Sequence, residues 1–153
     1  MRRLDLRGLR FDERDEAWRR VPVEVGPFVF GGLEYVVEGG AVDLDLAVAR
    51  VGDRLTLTGS FTATLIGPCQ RCLGEARLPV QARAIEVALR GHSEGVEDEE
   101  AYVAGYALDL DHWVRDMIAS TLPEKLLCGE ECRGLCPVCG ADLNRAAPGH
   151  SHP

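Results

Sequence analysis

The chain has 153 residues, 46% hydrophobic and 27% charged, with a net charge of −8. That size and composition fit one soluble globular domain with a proper core. The acidic balance weighs against a broad phosphate-binding surface, and no apolar run is long enough to span a bilayer. Met1 to Arg7 lacks the apolar middle of a secretory signal, so the expected compartment is the cytosol, with no membrane association. Thiols stay reduced there, so the six cysteines read as metal ligands before disulfides.

Residues 1–20 hold seven arginines and five acids among scattered apolar residues. This predicts an edge strand followed by a solvated arm, with a small cationic contact patch as the functional alternative. Residues 21–90 read as antiparallel β structure. Val21, Val23 and Val25 alternate with polar or proline positions, and Gly31-Gly32 and Gly39-Gly40 mark turns. Val42, Leu44, Leu46 and Val48 share one face opposite Asp43 and Asp45. After a tight turn at Gly52-Asp53, Leu55, Leu57, Phe61 and Leu65 face inward while threonines face water. The chain then turns through Gly67-Pro68-Cys69-Gln70-Arg71-Cys72-Leu73-Gly74 and returns. Leu78, Val80 and Ala82 hold one parity and Ile85, Val87 and Leu89 the other, which predicts a bulge near Arg83-Ala84.

Residues 91–111 carry seven acids and no Lys or Arg, so 91–108 reads as a flexible acidic loop. A docking strip for a basic partner, led by Glu94 and Glu97 to Glu100, is the alternative. Leu110, Trp113/Val114, Met117/Ile118 and Leu122 recur at helical spacing, with Asp109 or Asp111 to cap the start and Pro123 to end it. A helix is therefore expected over 109–122. His112 on it reads as a surface or core histidine. Residues 145–153 read as a frayed end, with His150 and His152 as tail histidines and stray metal binding by them as the alternative.

Cysteine spacing carries the chemistry. Cys69 and Cys72 sit at a hairpin tip, and Cys128, Cys132, Cys136 and Cys139 lie within twelve residues of the tail. Zinc takes four ligands in a tetrahedron, and pairs spaced two to four residues apart put two sulfurs on one side of it. One structural zinc per chain is expected. Three ligand sets fit: the four tail cysteines, Cys69/Cys72 with Cys136/Cys139 as a zinc ribbon, or Cys69/Cys72 with Cys128/Cys132. Long-range closure restricts the unfolded chain more than a local clip, which favours a set including Cys69 and Cys72. Four thiolates leave a charge of −2 on the site, and Arg71, Arg133 and Lys125 stand near enough in sequence to offset it.

These residues carry a resemblance. Cys69-Gln-Arg-Cys72-Leu after a β-rich half is followed by an acidic gap and an Asp-Leu-started helix ending in Leu122-Pro123. Cys128-x3-Cys132-Arg-Gly-Leu-Cys136-Pro-Val-Cys139-Gly-Ala-Asp-Leu-Asn144 completes a pattern that resembles the YceD-like family of large ribosomal RNA subunit accumulation proteins, over residues 40–144. The resemblance implies a bacterial cytosolic protein, found also in plastids, that sustains large-subunit ribosomal RNA and has no enzymatic activity. It also implies a gene neighbouring that of a small, often zinc-binding, large-subunit ribosomal protein. The expected function is thus a non-catalytic ribosome-assembly factor that grips a basic ribosomal protein or pre-ribosomal particle. The alternative is a direct RNA-binding zinc ribbon using Arg2 to Arg20 with Phe11 and Trp18. An enzyme is disfavoured. A catalytic zinc needs an open position and a nearby base, and Cys69/Cys72 lies between strands rather than at a redox-active helix start.

Overall fold

The computed structural model describes residues 2–89 and 101–153. Its strands are β1 (Arg3–Asp5), β2 (Glu16–Glu24), β3 (Phe28–Phe30), β4 (Leu33–Val37), β5 (Ala41–Val51), β6 (Arg54–Pro68), β7 (Glu75–Leu89), β8 (Val103–Ala104) and β9 (Ala107–Asp109). One helix, α1, follows at Leu110–Ala119. Every pairing between these strands is antiparallel, so the described residues form the expected antiparallel β-rich fold with one main helix.

β6 is the spine. β7 pairs with it residue for residue from Arg54↔Leu89 to Pro68↔Glu75. Its other edge is divided between β5, as far as Asp45↔Ser60, and β4, at Val37↔Leu65 and Val36↔Ile66. The larger sheet therefore runs β2-β5-β6-β4-β3 with β7 beside β6, and a second sheet runs β1-β9-β8. Past the end of β5, β4 flanks β6 as far as Ile66, and the β6–β7 hairpin tip follows just beyond Pro68↔Glu75. Residues 69–74 form that tip.

The inner face follows the predicted alternation. Val21, Val23, Val42, Leu44, Leu46, Val48, Leu55, Leu57, Phe61 and Leu65 are all buried. Asp109 caps α1 by accepting the His112 backbone N–H at 3.0 Å, and the helix lays Leu110, Trp113, Val114, Met117 and Ile118 against the sheet. Gly59 makes room for this. A Cβ there would stand 2.8 Å from the Trp113 ring and 3.2 Å from a Leu44 methyl. Arg115 locks the far side, donating to the Gly26 and Pro27 carbonyls at 3.2 and 2.8 Å and lying 4.2 Å over the Phe28 ring.

Several sequence expectations change. No bulge interrupts β7, whose register with β6 is continuous. Ile85, Val87 and Leu89 instead lie exposed on the outer face, while Ala84 and Ala88 keep the inner parity. The N-terminal arm is not simply solvated. The expected edge strand is present as β1, paired with β9, but in the arm after it Leu6 is buried and β2 begins at Glu16, with Ala17 buried against the sheet. Its basic residues are partly neutralised, Arg7 by Asp5 at 2.9 Å and Arg20 by Asp45 at 2.8 Å. Part of the expected acidic loop is strand, in β8 at Val103–Ala104 and at the start of β9, with a turn between them. Glu94 and Glu97 to Glu100 lie outside the described residues. The helix ends at Ala119, short of Leu122, and closes in successive tight turns at Thr121 and Leu122. Among the described residues, no helix is long and apolar enough to cross a membrane.

Candidate metal centre

The hairpin tip is built around Cys69. The Leu73 N–H donates to the Cys69 carbonyl at 2.9 Å, and the Cys69 N–H to the Gly74 carbonyl at 2.6 Å. Leu73 takes a left-handed φ of 60° to close this turn, which sets both sulfurs on one side. Gly67 lets the Tyr35 ring press on the strand just before it, since a Cβ there would meet the ring at 2.2 Å. The Tyr35 hydroxyl then donates to the Pro68 carbonyl at 2.7 Å and pins the base of the tip.

Polar links from Gln70 and Arg71 fasten the tail to the tip. The Gln70 N–H donates to the Leu126 carbonyl at 2.9 Å, and Gln70 Oε1 accepts the Leu126 N–H at 3.1 Å. Arg71 donates to the Cys132 carbonyl at 3.2 Å. Leu126 itself is buried. These contacts bring Cys128 and Cys132 over the tip. Cys69 Sγ stands 3.7 Å from Cys132 Sγ, and Cys72 Sγ 3.8 Å from Cys128 Sγ.

Those spacings decide between two kinds of sulfur chemistry. A disulfide needs about 2.05 Å, and all six cysteines are free. Sulfurs at about 2.3 Å from a common tetrahedral centre lie about 3.8 Å apart, which is the separation observed. The four ligand atoms of Cys69, Cys72, Cys128 and Cys132 all lie within 4.8 Å of one another. The donor set therefore fits a tetrahedral thiophilic cation such as Zn²⁺.

Electrostatics points the same way. Burial raises the Cys69 thiol, but the backbone N–H groups of Cys72, Arg71 and Cys128 and the Cys132 side chain outweigh it and bring it down to about 6. Asn144, donating from Nδ2 to Cys132 Sγ at 3.4 Å, is the largest influence lowering Cys132. Cys128 is pushed the other way, up to about 12, first by Cys132 and then by Cys72. Crowded sulfurs cannot all ionise beside one another unless a cation sits among them. Of the cations expected to offset thiolate charge, Arg71 contributes its guanidinium to the peptide carrying Cys132, whereas Arg133 contributes a backbone N–H to Asn144 Oδ1 at 2.9 Å.

Cys136 and Cys139 do not join this cluster. They form a second group with His150 and His152, so two Cys/His groups among the described residues could hold a metal ion, where one was expected. Backbone N–H groups of Cys139 and Val138, then the His150 side chain, bring the Cys136 thiol down to about 6. The sequence reading weighed stray metal binding by these two imidazoles and set it aside in favour of a frayed end. The available signal was a His-x-His pair following a Cys-Pro-Val-Cys-Gly turn. Asn144 was visible only as the last residue of the motif, not as a hydrogen-bond donor to sulfur. His112, in contrast, is a half-exposed surface residue 3.2 Å from Asp116.

The sequence signature of the large ribosomal RNA subunit accumulation protein YceD matches residues 57–153. This chain belongs to that family. The match runs from near the start of β6 through the tail and takes in both Cys/His groups. An uncharacterized protein of Mycobacterium tuberculosis and one of Mycobacterium bovis are each 35% identical over 127 residues, covering 79% of this chain and 61% of theirs. One of Mycobacterium leprae is 34% identical, covering 79% of this chain and 58% of its own. The chain thus spans about three fifths of the length of these relatives. No solved structure matches it.

Proposed function

We propose that this protein is a non-catalytic factor supporting large-subunit ribosomal RNA accumulation by binding protein or ribonucleoprotein, with zinc as an element of its fold. The carrying observation is the four-thiol set at Cys69, Cys72, Cys128 and Cys132, which joins a hairpin tip to a distant tail segment. Four protein donors leave no open coordination position for a substrate or an activated water. The ion's role is then to fix the tail against the sheet, and the function resides in the surface so fixed. The family's name for large-subunit RNA accumulation supplies the cellular process.

The partner proposed is a basic ribosomal protein or a pre-ribosomal particle bearing one. A net charge of −8 speeds encounter with cationic surfaces and repels bare nucleic acid. Direct RNA contact remains a second reading on one observation: Trp18 is 73% exposed on the outer sheet face, beside Arg19. The experiment is affinity purification from growing cells, comparing wild type with Glu97, Asp98, Glu99 and Glu100 changed to the matching amides. The expected outcome is loss of basic ribosomal proteins from the mutant eluate at moderate salt, with the fold retained. Unchanged partners at unchanged salt tolerance would refute the acidic-docking reading. Tight binding of purified wild type to naked ribosomal RNA, weakened by Trp18→Ala, would favour the RNA-binding one.

A further inference from the structure

The Cys136-Pro-Val-Cys139 turn has the same backbone construction as the hairpin tip, although it lies in a different part of the fold. The Gly140 N–H donates to the Cys136 carbonyl at 2.8 Å, as Leu73 does to Cys69 at 2.9 Å. The Cys136 N–H donates to the Ala141 carbonyl at 2.8 Å, as Cys69 does to Gly74. Gly140 holds a φ of 73° where Leu73 holds 60°. Two copies of one sulfur-presenting turn thus occur in this chain, and only one of them belongs to the four-thiol set.

The tail folds back to complete the second. The His150 N–H donates to the Ala147 carbonyl at 3.1 Å across a turn in which Gly149 takes a φ of 78°. That turn returns both imidazoles to the cysteines. Cys139 Sγ stands 3.6 Å from His150 Nε2, Cys136 Sγ 3.2 Å from His152 Nε2, and the two Nε2 atoms 3.2 Å apart. Around zinc, with Zn–S of about 2.3 Å and Zn–N of about 2.0–2.1 Å, tetrahedral edges are about 3.6 Å for S···N and about 3.3 Å for N···N. A hydrogen bond accounts for one such pair. Four donor atoms all within 4.8 Å of one another are the arrangement that ligation to one ion requires.

We infer that Cys136, Cys139, His150 and His152 bind a second zinc ion per chain. Two thiolates and two neutral imidazoles balance the charge of Zn²⁺, so this centre needs no cationic neighbours, whereas the four-thiol centre carries excess negative charge. It also differs in access. Cys139, His150 and His152 are exposed, while Cys69, Cys72 and Cys132 are buried. The second ion is therefore the labile one, taken first by a chelator, and its loss frees the residues beyond Arg145 while Asn144 stays on Cys132 in the hairpin clip.

The test is metal content of the full chain, purified with zinc and without chelator. About two zinc equivalents are expected, one for each ligand group. A colorimetric chelator should remove them in two phases. In His150→Ala/His152→Ala the fast phase should vanish and about one equivalent remain, with the far-UV spectrum intact. His150→Cys/His152→Cys should restore the second equivalent, a rescue that a purely structural role for the imidazoles does not give. One equivalent in wild type, or two in the alanine variant, would overturn the assignment. The four-thiol reading is separable, because Cys69→Ser/Cys72→Ser should abolish the slow phase and leave the fast one.

Discussion

Replacing Cys69 and Cys72 by serine removes two of the donors that join the hairpin tip to the tail. The loop closed there, from Cys72 to Cys128, holds about 55 residues against about three between Cys128 and Cys132, so its closure restricts the unfolded chain by about 2.6 kcal/mol more. Binding at a structural zinc site supplies about 10–16 kcal/mol. Without it, the tail keeps the burial of Leu126, about 1.5–3 kcal/mol, and its two hydrogen bonds with Gln70, about 0.5–1.5 kcal/mol each. Ordering backbone costs about 1–2 kcal/mol per residue. These anchors therefore hold the few residues around Leu126 and not the segment beyond. The sheet should survive, because Cys69, Cys72 and Cys132 form a small cluster apart from the main apolar core. Limited proteolysis is the assay, with zinc content and far-UV circular dichroism followed in parallel. The double variant should lose one zinc equivalent and be nicked rapidly after Arg133, in the released segment, while its β signal persists. Wild-type zinc content with an unchanged nicking pattern would refute the tip-to-tail clip. Collapse of the whole β signal would refute the separation of the two clusters.

Gly59→Ala should destabilise the protein by about 1–3 kcal/mol, because the new methyl meets the buried Trp113 ring. Thermal melts should show a fall of about 2–4 °C per kcal/mol, and an unchanged or raised Tm would show that α1 yields at that contact. Gln70→Ala leaves the part-buried Leu126 N–H without its side-chain acceptor, a loss of about 1–3 kcal/mol. Its signature is faster nicking near residue 125 with zinc content unchanged, and wild-type nicking would count against the Gln70 clamp.

Local chemistry was legible in the sequence. Period-two alternation in β5 and β6, the turn at Gly52, the hairpin tip bearing Cys69 and Cys72, and the Asp109 cap all follow from near neighbours, and the structure has each of them. Apolarity was a poorer guide to burial. Ile85, Val87 and Leu89 suggested a change of face, yet the continuous ladder with β6 keeps them outward and places small alanines within. The polar stretch at Glu16 to Arg20 looked solvated because its partners lie on β5, where Asp45 meets Arg20. β1 needed β9, about a hundred residues away, to become a strand at all. The cysteines divide along the same line. Spacing alone marked six candidate ligands and left three groupings open, because any two short-spaced pairs satisfy a tetrahedron equally well. Only the folded chain sets Cys128 and Cys132 over the hairpin tip, through Gln70, Arg71 and Leu126, and turns His150 and His152 back to Cys136 and Cys139. A turn is fixed by the residues within it, whereas a coordination sphere is fixed by whatever the rest of the chain brings within reach.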